Sequence, residues 1–234
     1  MLLFNNLYIV HHLNFEWGNV MGLIRLLFSD PAAFVMLSVL LLYSVIFHEL
    51  AHGWVAYKMG DPTAKMMGRL TLNPVSHLDI IGTLMLLIIG FGWAKPVPVN
   101  LGNIPGDKRR QAMILVSAAG ITANIICAAV AILLLQLLTP APDDIMYKIL
   151  NLLALINIML AAFNLIPIPP LDGSKILMGF TPASVNRVLY QIEPFGFFIV
   201  IGLLYLGVLD PVIELLQNII VNFISLILHA IGVG

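Results

Sequence analysis

The sequence predicts an all-α polytopic membrane protein, a bundle of five to six transmembrane helices with a re-entrant segment and short β-strands on the cytoplasmic side. Three observations lead there. Of 234 residues, 60% are hydrophobic and only 10% charged, against about 45–50% and about 25% in soluble domains. Mean hydropathy is +1.01. Apolar runs of the roughly 20 residues needed to cross a bilayer recur along most of the chain. The formal charge of −1 leaves no basic surplus to neutralise phosphates, which excludes nucleic acid as a partner. A lone cysteine, Cys127, sits inside an apolar run and excludes both an internal disulfide and a cysteine-based metal site.

The first 30 residues lack the basic stretch and cleavage site of a signal peptide. Within them, Val20 to Phe28 carries one charge, Arg25, and suits a short interfacial helix, while His11 and His12 read as solvated. Spans are expected near 33–57, 113–138, 147–166, 195–209 and 212–231, the fourth being short. Between the first two, Ile80 to Trp93 holds 14 residues including Gly82, Gly90 and Gly92. It is too short for an ordinary span and reads as a re-entrant or partly inserted segment, with a sixth, strongly tilted span as the alternative.

Basic residues choose between these, because short cytoplasmic loops are enriched in Lys and Arg. If the segment does not cross, Lys58, Lys65, Arg69, Lys95, Lys108, Arg109, Arg110, Lys175 and Arg187 share one side, leaving Arg25 and Lys148 on the other. If it crosses, the asymmetry largely disappears. Five spans are therefore favoured, with the amino terminus outside and the carboxyl terminus in the cytoplasm. Between the first two spans, Arg69 to Leu72 and Pro96 to Leu101 alternate as short strands do, and the prolines confine the second to a sheet edge. His77 and Asp79 read as a turn at the surface.

Near the cytoplasmic end of the first span, Phe47-His48-Glu49-Leu50-Ala51-His52 contains the pattern H-E-x-x-H. On a helix His48 and His52 face the same way, one turn apart, so both imidazoles can reach one metal ion. Glu49 stands beside that point, where it can take a proton from metal-bound water. Ionisable groups at the bilayer centre cost about 2.5–3.5 kcal/mol each on insertion scales, so this cluster needs a compensating partner. A catalytic zinc normally takes three protein ligands. The third candidate is Asp172, which follows Pro167, Pro169 and Pro170 at the end of the third span. These prolines break the helix and let the carboxylate turn into the bundle, the competing reading being a solvated capping aspartate. With five spans, His48, His52 and Asp172 reach the same side; with six, they do not.

These residues resemble the site-2 protease family of intramembrane zinc metalloproteases. The resemblance rests on His48-Glu49-x-x-His52, on Asn164-x-x-Pro167 with Leu171-Asp172-Gly173, and on Gly120-x-x-x-Asn124 in the second span. Gly68 to Pro74 and Lys95 to Asn100 are similar to its compact prokaryotic branch. Ile121 and Ser174 depart from the usual Pro and Gly at those positions. The resemblance implies one Zn²⁺ per chain and hydrolysis of peptide bonds in or near transmembrane segments of protein or peptide substrates. It also implies residence in the lipid bilayer of a prokaryotic cell membrane, with the active site near the cytoplasmic side.

On this reading residues 1–234 form one membrane-embedded metalloprotease domain: an interfacial segment (1–30), a catalytic core (31–180) and carboxyl-terminal helices (181–234). Asn124 and Asn164 are expected to donate to substrate backbone, or alternatively to hold helices together. Val97 and Val99 are expected to pair with an unwound substrate as an added strand. Two rivals remain: a membrane metal-ion transporter and a catalytically silent zinc-binding scaffold.

Overall fold

The computed structural model describes residues 22–89 and 94–233. Helices α1 (Gly22–Ser29) and α2 (Pro31–Met59) are separated by Asp30, whose carboxylate accepts the Ala33 amide at 3.0 Å, with Pro31 opening the second helix. Met59 ends α2 because Gly60 takes a left-handed φ of +110°, a conformation that glycine adopts at no steric cost. Then follow α3 (Thr63–Met66), α4 (Ile80–Ile89), α5 (Arg109–Leu138), α6 (Ile145–Leu165) and α7 (Asp172–Phe180). The chain closes with α8 (Ala183–Ile192), α9 (Gly196–Tyr205) and α10 (Asp210–Ala230).

Among the described residues, five stretches are long and apolar enough to cross a membrane: α2, α5, α6, the run Ala183–Tyr205 and α10. The fourth is longer than expected, because α8 continues through a 3₁₀ turn at Glu193–Phe195 into α9. Large apolar side chains cover the outside as well as the core, and some polar ones are buried. Val35, Val39, Phe47 and Trp54 face outward from α2, while Ser44, His48, Asn124 and Asn157 are buried, which suits a bundle whose solvent is lipid.

Helix α5 is the central post, packing against α2, α6, α7 and α10. Its buried face carries Ala112, Gly120, Ala128 and Ala131, small residues that let neighbouring backbones approach closely. One core joins Ile121 and Ala128 of α5 to Ile158, Ala161 and Ala162 of α6 and Ile220, Val221, Ile224 and Leu228 of α10. A second packs Ile166 and Leu171 under Val200, Leu204, Leu209 and Ile213.

Two expectations need correction. Among the described residues there is no β-strand. Arg69 to Leu72 forms a bend. Residues 96–101 begin extended but join no ladder: Pro96 and Pro98 have no amide hydrogen, and the Val97 and Asn100 amides donate to the carboxylates of Glu49 and Asp61. The re-entrant segment is not supported either. Ile80–Ile89 is a single ten-residue helix beside α1, about 15 Å long against a hydrocarbon core of about 30 Å. Asp79 starts it by accepting the Gly82 amide at 2.7 Å, so Gly82 lies in a capped first turn and interrupts nothing. Residues 90–93 lie outside the described residues, as do His11, His12 and Val20. His77 is fully buried, not at the surface, and pairs through Nε2 with the Thr71 carbonyl at 2.8 Å.

Candidate metal centre

Four-residue spacing on α2 stacks His48 and His52 with ring centroids 4.5 Å apart and planes at 85°. Their Nε2 atoms lie 2.9 Å from each other. Oδ2 of Asp172 completes a triangle, 3.2 Å from Nε2 of His48 and 3.1 Å from Nε2 of His52. All three residues are buried, Asp172 to 9% exposure, so the solvated capping aspartate is not what forms.

Hydrogen bonds behind the rings decide what those nitrogens carry. Nδ1 of His52 lies 2.6 Å from the Val116 carbonyl oxygen, which can only accept, so in the neutral ring Nδ1 holds the proton and Nε2 presents its lone pair. Nδ1 of His48 faces Oδ1 of Asn124 at 2.6 Å, with the same consequence. Two bare imidazole nitrogens and a carboxylate oxygen then face one point. Oδ2 of Asp172 has no hydrogen-bond donor. Three electron-rich atoms crowded together in this way repel one another unless a proton or a metal cation lies between them, and two nitrogens plus one oxygen are the donor set of a zinc site that keeps a coordination position open. Among the described residues this is the one group of His, Cys, Asp and Glu that could hold a metal ion.

The backbone around the triangle explains how distant segments meet there. Helix α6 ends at Leu165, and the prolines at 167, 169 and 170 prevent its continuation. Leu171 is extended, and Asp172 opens α7. Gly173 makes the reversal possible, since a Cβ there would sit 2.5 Å from the Leu165 carbonyl carbon. Arg110 of α5 holds the far end of α7 by donating to the carbonyls of Gly179 and Thr181. On the other flank Gly120 is the floor of the site: a Cβ would fall 2.6 Å from Cε1 of both His48 and His52.

A cavity of about 460 Å³ opens beside the triangle, and Glu49, Val97, Val99 and Asn164 line it with the three candidate ligands. Oε2 of Glu49 accepts the Val97 amide at 2.7 Å. The extended segment lies tightly on α2 because Gly53, one turn beyond Glu49, has no side chain; a Cβ would meet Cγ1 of Val97 at 2.7 Å. Asn164 donates to the Leu160 carbonyl at 2.9 Å. Asn124 is placed differently from its expected role. It is fully buried among α2, α5 and α6, away from the cavity wall, and donates to Oδ1 of Asn157 at 2.8 Å.

Several residues at or near the site were not anticipated. Lys175, Tyr190 and Glu193 also line the cavity. Asp61, fully buried, ties the turn after α2 to the segment ahead of α5: its carboxylate accepts from the amide and hydroxyl of Thr63, from the Asn100 amide at 2.6 Å and from Nδ2 of Asn103 at 2.7 Å. Burial pushes its carboxyl up, and these donors more than offset that, holding it below the usual range. Arg69 donates to the carbonyls of Lys95 and Pro96 at 2.7 and 3.2 Å. A buried polar residue within an apolar stretch was the available signal for Ser44 and Asn157.

A helical membrane bundle that focuses two histidines of one helix and a remote aspartate on one point, with a glutamate alongside, defines a membrane metallopeptidase. The chain belongs to peptidase family M50. The sequence model of that family matches residues 139–206, a stretch that contains Asp172 but not the H-E-x-x-H pair. The chain is 39% identical over 214 residues to "Putative zinc metalloprotease YwhC" of Bacillus subtilis, covering 87% of this chain and 97% of that protein. It is 28% identical to "Putative zinc metalloprotease Rip2" of Mycolicibacterium smegmatis over 75% of this chain and 69% of that one. To "Putative zinc metalloprotease MJ0611" of Methanocaldococcus jannaschii it is 30% identical, over 66% of this chain and 77% of the other. No solved structure matches.

Proposed function

We propose that the protein is an intramembrane zinc metalloprotease that cuts peptide bonds within or near transmembrane segments of membrane proteins. His48, His52 and Asp172 would hold one Zn²⁺ per chain, with Glu49 as the acid-base group. The observation that carries this reading is the convergence of two imidazole nitrogens and one buried carboxylate oxygen on a single point. When bound, zinc supplies Lewis acidity, stabilising negative charge that develops on a scissile carbonyl and making water acidic near neutral pH.

Glu49 lines the same cavity. Its carboxylate takes the proton of the attacking water and passes it to the departing amine, a role worth about 10²–10⁴-fold in rate for a positioned group. The site lies at the end of α2 that carries Lys58. With five spans, nine of the eleven basic residues fall on that side, which supports a site facing the cytoplasm. A helical substrate shields its own peptide bonds and must unwind before it can be cut, and lipid offers no replacement hydrogen bonds. The segment at Val97 and Val99 supplies them by strand addition, starting from the Val99 amide because Glu49 holds that of Val97, and Asn164 lines the same cavity.

A transporter needs ligands spaced along a conduit, whereas these three meet at one point. Purified protein carrying one zinc should cleave a transmembrane peptide in vesicles, lose that activity to a chelator and regain it with zinc. Zinc flux without cleavage would favour the transporter, and tightly held zinc with neither would leave a scaffold.

A further inference from the structure

Behind His48 runs a chain of buried side chains that touches neither the cavity nor Asp172. Ser44 Oγ donates to the Leu40 carbonyl at 2.7 Å. Nδ2 of Asn157 donates to Ser44 Oγ at 2.9 Å and to the Leu153 carbonyl at 2.8 Å. Nδ2 of Asn124 donates to Oδ1 of Asn157 at 2.8 Å and to the Ser44 carbonyl at 3.4 Å. Oδ1 of Asn124 meets Nδ1 of His48 at 2.6 Å. Asn124 and Asn157 are fully buried and Ser44 is 2% exposed, so water cannot stand in for any member.

The direction of every link is forced. Backbone carbonyls only accept, so the Leu40 oxygen takes the Ser44 proton and the Leu153 oxygen fixes which end of the Asn157 amide points its way. Oδ1 of Asn157 is then the end facing Asn124. That fixes the Asn124 amide in turn, and its oxygen is what His48 meets. We propose that Ser44, Asn157 and Asn124 are positioning residues that set the tautomer of His48, placing its proton on Nδ1 and leaving Nε2 bare toward the metal point. A ligating histidine commonly needs such a partner on its other nitrogen. Here the orientation of that partner is specified from two helices away. His52 achieves the same state with a single backbone carbonyl, which cannot flip; the amide of Asn124 can, and Asn157 at 2.8 Å, with the more distant Ser44 carbonyl at 3.4 Å, opposes it.

This inference rests on His48 being a metal ligand and is tested apart from that reading. Histidine-selective ¹⁵N spectra of the metal-free protein report the His48 tautomer directly, and competition with a chelator reports zinc affinity. Wild type should show Nδ1–H at His48. Asn157→Leu removes the nearer of the two acceptors that orient Asn124 and leaves only the 3.4 Å contact to the Ser44 carbonyl, so it should shift His48 toward Nε2–H and weaken zinc binding about 10–100-fold, the range for outer-shell partners. Asn157→Asp keeps an acceptor facing Asn124 and should keep the Nδ1–H tautomer. Nε2–H in wild type, or an unchanged tautomer in Asn157→Leu, would overturn the proposal. So would equal affinity losses in both variants with the tautomer intact. A wild-type protein that binds no zinc but shows Nδ1–H would instead count against the metal centre itself.

Discussion

Oε2 of Glu49 accepts the backbone amide of Val97 at 2.7 Å, so the carboxylate that would handle protons is tied to the segment that would receive substrate. A β-ladder needs free amides along one edge, and this one is already in use. The neighbouring edge amide on the same side, two residues on, is that of Val99, which has no partner among the described residues.

Substrate pairing should therefore appear first at Val99. Hydrogen exchange of the loaded protein, carried out with the inactive Glu49→Gln variant and a transmembrane peptide, is expected to protect the Val99 amide. Replacing Val99 with proline removes that donor and should raise KM severalfold with metal content unchanged. Equal protection with and without peptide would remove strand addition from the mechanism.

Glu49→Gln keeps size and hydrogen-bonding capacity but cannot accept a proton. Zinc content should stay at the wild-type level while kcat falls by at least about 10²-fold. Cleavage at a comparable rate would take Glu49 out of the acid-base role.

Gly120→Ala is the smallest change that reaches the site. The added methyl would lie 2.6 Å from Cε1 of both imidazoles, and those rings are held from behind by Asn124 and Val116. Zinc affinity should fall by at least about tenfold, with the helical signal in circular dichroism retained. Normal affinity would mean that the rings have room to move.

Asp61 gives a pH dependence of known sign. Its folded pKa is depressed, so its stabilisation is fully present above the ordinary aspartate value of about 3.9. That contribution is lost as pH falls further, through the lower folded value. Asp61→Asn weakens bonds to the Asn100 amide and Asn103, and hydrogen bonds to a charged group are worth about 1.5–3 kcal/mol each. Thermal unfolding at pH 7 should show a lower Tm for the variant, and the gap should narrow below pH 4. A constant gap across that range would exclude the carboxylate charge as the cause.

How much of this was legible in the sequence follows from the range of each signal. The five spans are written in local hydropathy, and the two histidines in a spacing that the helix itself converts to one face. Asp172 could be nominated because three prolines must end the preceding helix and an acid so placed needs a partner. In the segment 96–101 the alternation of Val97, Val99 and Leu101 suggests a strand, but among the described residues it has no ladder partner, and carboxylates from Glu49 and Asp61 claim two of its amides. Those are long-range contacts that no local pattern encodes. Ile80–Ile89 forms one short helix for a local reason: Gly82 looks like an interruption in the sequence, but Asp79 caps the turn that contains it. For Asn124 the motif alone leaves two readings, a donor to substrate or a bond between helices, and its neighbours favour the second. Asn157, seven residues before Asn164 and two helical turns away, is what draws it into the bundle.

The central claim is that Asp172 joins His48 and His52 around one ion, and metal analysis of the purified protein beside Asp172→Ala tests it most directly. Wild type should carry one zinc per chain, and the variant should lose it to a chelator at concentrations that leave wild type loaded, with cleavage of a transmembrane peptide lost in parallel. Equal zinc retention in the two proteins would contradict the account.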